Sequence, residues 1–169
     1  MDANTFIHAK EHYYPIARFP EFWDWIIYQS GMNNIKIPRE IYQEINGSRQ
    51  SSINQDELAK WVQRVDVKEL LLLSEDVDYK LVNEVIVSGY LSSPTESDLI
   101  KMGRDPFLIA YALKDKNNRT VVTTEVSKPS KSGSNRHVPD VCKELGIKCI
   151  NTFQLIKNLD FSTSWKETI

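Results

Sequence analysis

The strongest constraint on this chain lies in its last third. Asp105–Leu113 (DPFLIAYAL) is apolar on nearly every side, which predicts a buried helix. Residues 119–124 (RTVVTT) form a β-branched run and predict a buried strand. A Ser/Lys/Gly loop over 126–136 follows, then a helix over 138–145 closed by Gly146. A strand at 147–150 and a last helix near Thr152–Asn158 complete the segment. Helix, strand, helix, strand, helix at this spacing predicts an α/β fold: three α/β/α layers around a central, mostly parallel sheet.

The length of 169 residues suits a single domain spanning 1–169. Upstream, the stretch 3–9 with Thr5, Phe6 and Ile7 reads as the end of a strand. Residues 20–27 read as a helix with Pro20 in its first turn and its aromatic residues in the core. Ile35-Lys36-Ile37 alternates like a short strand, Pro38 starts a helix over 39–45, and 47–54 is a polar loop. Residues 56–65 have helical apolar spacing at Leu58, Trp61, Val62 and Val65. Further helices are expected over 74–90, capped by Ser74, and over 92–103, with Ser93 as cap.

Composition narrows the class. Hydrophobic residues make up 41% and charged residues 26%, which suits neither a disordered tail nor a membrane protein. No apolar run, 70–73 and 107–113 included, is long enough to span a bilayer. Met1-Asp2-Ala3-Asn4 carries no basic region followed by an apolar stretch, so no secretory signal is expected. Cys142 and Cys149 are too few for a disulfide framework or a four-cysteine zinc site, and read as reduced thiols of a cytoplasmic protein. The net charge of −2 lacks the basic balance of a protein that coats nucleic acid.

In parallel α/β sheets, ligands collect beyond the C-terminal ends of the strands. Four acids stand at such places: Asp2 before an apolar stretch, Glu44 on an early helix, Asp105 opening the most apolar helix, and Glu125 directly after a strand. Each alone has an ordinary reading: Asp105 before Pro106 as a helix cap, Glu44 as a solvated helix residue, Glu125 as a loop carboxylate. Together, converging carboxylates would repel by about 4 kcal/mol per close pair at an effective dielectric near 20. A divalent cation would neutralise them, and oxygen ligands with partial hydration favour Mg²⁺ or Mn²⁺ over zinc.

The order of these acids resembles that of the PIN-domain nucleases. The matching pieces are Asp2-Ala3-Asn4, Glu44 in Ile41-Tyr42-Gln43-Glu44-Ile45, Asp105 in Asp105-Pro106-Phe107-Leu108-Ile109-Ala110-Tyr111-Ala112, and Glu125 in Val122-Thr123-Thr124-Glu125. The resemblance covers nearly the whole chain. The helix around Phe22-Trp23-Asp24-Trp25 and the segment Val138-Pro139-Asp140-Val141-Cys142 look like a PIN-like prokaryotic branch, similar to VapC-type toxin ribonucleases. Two departures stand out. Few residues precede Asp2, where PIN domains carry an apolar first strand, and the fourth acid is Glu125 where many relatives have Asp.

The resemblance implies a PIN-like domain acting as a metal-dependent endoribonuclease on RNA, the toxin of a toxin–antitoxin pair. Asp2, Glu44, Asp105 and Glu125 would be its catalytic residues and the ligands of Mg²⁺ or Mn²⁺. Asn4 and Thr123 would orient carboxylates or phosphate, and Lys128, Lys131 and Arg136 would contact the nucleic-acid backbone. An antitoxin protein and a second copy of the chain are the implied partners. The rival class is a PIN-like binding module that is catalytically weak or silent. His8 and His12 have helical ligand spacing, but without an H-E-x-x-H arrangement they do not point to a zinc hydrolase. A haloacid-dehalogenase-type phosphatase needs an acid where Asn4 stands. A receiver domain needs adjacent acids before its phosphorylated Asp, for which there is no room.

Overall fold

The computed structural model describes residues 1–47 and 56–167. The polar loop expected over 47–54 therefore lies, beyond Gly47, outside the described residues. These residues form a mixed α/β structure that is mostly helical, with two parallel strands. They group into two compact units. One holds Met1 with the described residues of Ala3–Ser74 and Thr152–Ile169; the other holds Asp2 with Glu75–Asn151. Among the described residues no helix is long and apolar enough to cross a membrane.

The first unit is helical: α1 (Ala3–His8), α2 (Pro20–Gly31), α3 (Arg39–Gly47), α4 (Glu57–Gln63), α5 (Val65–Leu71) and, from the end of the chain, α10 (Thr152–Asn158). The stretch expected to finish a strand is instead α1, continued by a π-helical turn over Ala9–Tyr13. The reason is periodicity: Ala3, Phe6 and Ala9 are buried at three-residue spacing, which only a helix places on one face. Pro20 sits in the first turn of α2, where its missing N–H is harmless. Phe22, Trp23 and Trp25 of α2 are core residues, as expected from the sequence. Trp23 packs edge-on against Trp61 at 4.8 Å and donates its indole N–H to the Tyr14 carbonyl. The strand expected at Ile35–Ile37 shrinks to one parallel bridge, Ile37 to Leu72. Asp56 caps α4 by accepting from the Leu58 N–H at 2.8 Å, and the helix breaks at Arg64 rather than running to Val65.

The second unit contains α6 (Tyr79–Glu84), a π-helical segment (Val85–Tyr90), α7 (Glu96–Met102), α8 (Asp105–Leu113), β1 (Thr120–Val122), α9 (Val138–Glu144) and β2 (Lys148–Ile150). β1 and β2 are parallel, with Val121 opposite Cys149 and Val122 opposite Ile150. The Asp2 N–H donates to the Val122 carbonyl at 2.9 Å, which places Asp2 alongside β1. The helix expected to begin at Ser74 starts at Tyr79, capped by Asp78, and turns π-helical from Val85 onward. The cap expected at Ser93 is instead Thr95, in a reciprocal capping box with Asp98. Thr95 wins because its third neighbour, Asp98, can bond back to the Thr95 N–H.

Asp98 also accepts from the Ser134 hydroxyl at 2.7 Å, so one carboxylate organises α7 and the 3₁₀ turn Gly133–Asn135. Hydrogen bonds from Ser134 and then Thr95 lower its pKa from 3.8 to about 2. Its folded pKa lies below its unfolded one, so the stability it adds is present above pH 3.8 and lost as pH falls through about 2. Asp98→Asn is therefore expected to flatten the acid limb of stability in that window, measured by urea denaturation at a series of pH values.

Candidate functional site

Three of the four acids singled out in the sequence belong to the second unit. Asp2 is buried, with 3% of its surface exposed, and its Oδ2 accepts from the Thr123 hydroxyl at 2.9 Å. Thr123, itself buried, follows β1 and has its N–H bonded to the Ile150 carbonyl of β2. The same hydroxyl oxygen accepts from the Glu125 N–H at 3.2 Å. One threonine side chain thus joins the carboxylate of the D-x-N element to the backbone of the acid after β1.

Asp105 is the first residue of α8, directly before Pro106. The cap position is Arg104, whose side chain makes no cap hydrogen bond, so Asp105 stands one residue inside the helix rather than at its cap. A carboxylate in the first turn is nevertheless favoured by the helix dipole. Glu125 turns the other way along the chain. Its Oε2 accepts from the Val138 N–H at 2.8 Å, capping α9, and lies 3.8 Å from Nδ1 of His137. Glu44 is half-buried on α3 in the first unit, and Asn4 is exposed on α1.

The charges of these acids act in pairs on shared neighbours. Burial raises the pKa of Tyr90, and the charges of Asp105 and Glu125 raise it further. Cys142 and Cys149 are free thiols. Cys142 is pushed up, first by its hydrogen bond with Cys149 and then by burial. That bond lowers Cys149, while burial and the charges of Asp2 and Glu125 pull the other way. Asp2 and Glu125 thus act on one sulfur, and Asp105 and Glu125 on one phenol. An all-oxygen anionic donor set suits a hard divalent cation such as Mg²⁺ or Mn²⁺. Among the described residues, no three His, Cys, Asp or Glu side chains are drawn together closely enough to form a closed cage. The carboxylate oxygens of Asp2, Asp105 and Glu125 fit such an ion by their chemistry.

The loop after Glu125 presents Lys128 and Lys131 on the surface. Asp140 fixes its backbone by accepting from Ser127 Oγ and from the Lys128 N–H at 2.7 Å. Arg136 is engaged inside the protein, where its guanidinium meets the Gly89 and Asp140 carbonyls and the Glu144 carboxylate. It ties the π-helical segment to α9. Sequence reasoning missed Gly89, Tyr90 and His137. An aromatic residue near the end of an apolar helix has no signature that separates it from core, and the π-helical turn that places it is equally silent.

The model of one protein family, described as "Domain of unknown function (DUF4411)", matches residues 1–163. No curated protein and no solved structure matches the chain. In EDTA, Glu125→Ala is expected to destabilise the protein by about 1 kcal/mol, through loss of the α9 cap. Chemical denaturation checks the magnitude, and faster amide exchange at Val138 checks the location.

Proposed function

The chain belongs to this DUF4411 family, and from its site we propose that it is a divalent-cation-dependent ribonuclease of PIN-like, three-layer α/β/α type. The observation that carries the reading is the buried hydrogen bond from Thr123 to Asp2. It joins two segments 121 positions apart, each of which holds one piece of the PIN-like acid pattern. A buried carboxylate is costly unless hydrogen-bond donors or something cationic compensate it, and Thr123 is one such donor to Asp2.

In this reading Asp2, Asp105 and Glu125 hold Mg²⁺ or Mn²⁺, and Glu44 of the first unit is the fourth acid of the pattern. When bound, the cation supplies Lewis acidity at the scissile phosphate and lowers the pKa of a water. The protein's own groups do the positioning. Thr123 fixes one oxygen of Asp2 by donating to it, and fixes the backbone of Glu125 by accepting from it. Asp105 holds its carboxylate at the start of a buried helix, so its direction is set by a rigid element. Lys128 and Lys131 meet the RNA backbone, while Arg136 braces the site from behind. No covalent nucleophile is required. A toxin role follows from the same reading, with a small antitoxin protein and a second copy of the chain as partners; growth arrest on expression, relieved by a neighbouring gene product, tests it.

The second reading is a binding module of the same fold without catalysis. It is favoured by Glu125, whose carboxylate already serves α9. Cleavage of single-stranded RNA separates the two. The wild type is expected to cut in Mg²⁺ or Mn²⁺ and to stop in EDTA. Asp105→Asn is expected to lose at least about a hundredfold, beyond what an outer-shell partner usually contributes. Equal rates in the two proteins, or no cleavage by the wild type in either cation, would leave the binding module as the reading that stands.

A further inference from the structure

Tyr90 closes the π-helical segment and is 7% exposed, yet its hydroxyl has no hydrogen-bond partner. Leaving a buried hydroxyl unsatisfied is destabilising, and phenylalanine would fill the same space without that cost. The segment that carries it is closely fitted. A Cβ on Gly89 would lie 2.5 Å from Cγ1 of Val141 on α9, so any other residue there would force Val141 to shift. The Gly89 carbonyl accepts from Arg136. The segment packs against α8, which Asp105 opens, and against α9, which Glu125 caps. The charges of both acids reach the phenol. Isolated π-helical turns of this kind are frequent at functional sites.

We propose that Tyr90 is a positioning residue for Asp105, its hydroxyl being the donor that the Asp105 carboxylate takes up when the site binds a divalent cation. This rests on the divalent-cation reading above. A carboxylate that ligates a cation through one oxygen keeps acceptor capacity on the other, and a donor there fixes the ligand's orientation. A neutral phenol suits that role better than lysine or arginine, because it adds no positive charge to compete with the ion.

The test uses Mn²⁺ alone as probe on the full chain, with free Mn²⁺ followed by electron paramagnetic resonance. Thermal unfolding of the same proteins is followed in EDTA. Tyr90→Phe is expected to keep or raise the melting temperature in EDTA, since it removes an unsatisfied group. It is expected to weaken Mn²⁺ binding about 10- to 100-fold, the usual effect of losing an outer-shell partner. Asp105→Asn, as control, is expected to weaken it further. Equal Mn²⁺ affinity in wild type and Tyr90→Phe overturns the role of Tyr90 and leaves the cation reading intact. A lower melting temperature for Tyr90→Phe in EDTA also overturns it, because the hydroxyl would then already serve the metal-free fold. Absence of Mn²⁺ binding by the wild type overturns the cation reading itself, and the role of Tyr90 with it.

Discussion

A single hydroxyl proton, shared between Thr123 and the carboxylate of Asp2, anchors the organisation of the second unit. Asp2 is buried, and a buried carboxylate must be matched by donors or by cationic charge. Thr123 supplies a donor because the parallel pairing of β1 with β2 extends through the bond from its own N–H to Ile150, which fixes its backbone. From that point the geometry propagates. The same oxygen receives the Glu125 N–H, Glu125 reaches α9, and α9 receives the π-helical segment against Val141. Replacing Thr123 by valine would keep the shape and remove the joint.

How much of this was legible in the sequence depends on what kind of physics wrote each part. α8 was legible because a segment apolar on all sides has one place to go, and α2 because Pro20 marks its first turn. β1, α9, β2 and α10 followed from β-branched runs and from a glycine stop at Gly146, whose φ is +69°. Caps were less legible. Ser74 and Ser93 are good capping types, but Asp78 and Thr95 hold the positions, and for Thr95 the deciding partner stands three residues later. α1 was misread because Thr5, Phe6 and Ile7 favour a strand residue by residue, whereas burial at Ala3, Phe6 and Ala9 is helical. The strand at Ile35–Ile37 survives as one bridge because three alternating residues specify little pairing.

The site divides in the same way. Asp2 and Thr123 each stood out in the sequence, but the hydrogen bond between them joins segments 121 positions apart and has no local signature. The hold of Glu125 on α9 was not legible, because the N–H it caps lies 13 positions away across a loop with no regular period. Nor was the engagement of Arg136, which a basic residue in a polar loop does not announce. A net charge of −2 does not say where single charges sit: Asp2 and Glu125 act on Cys149, whereas Lys128 and Lys131 are exposed.

Because Glu125 is held by the first amide of α9, the helix and the acid are linked thermodynamically. Whatever draws this carboxylate elsewhere loosens the start of α9, and whatever tightens α9 holds the carboxylate where it is. The free energy of that exchange is the same read from either side. Val138 therefore reports on Glu125 without touching any ligand: its amide, protected while the acid is at home, becomes a built-in gauge of where the carboxylate stands.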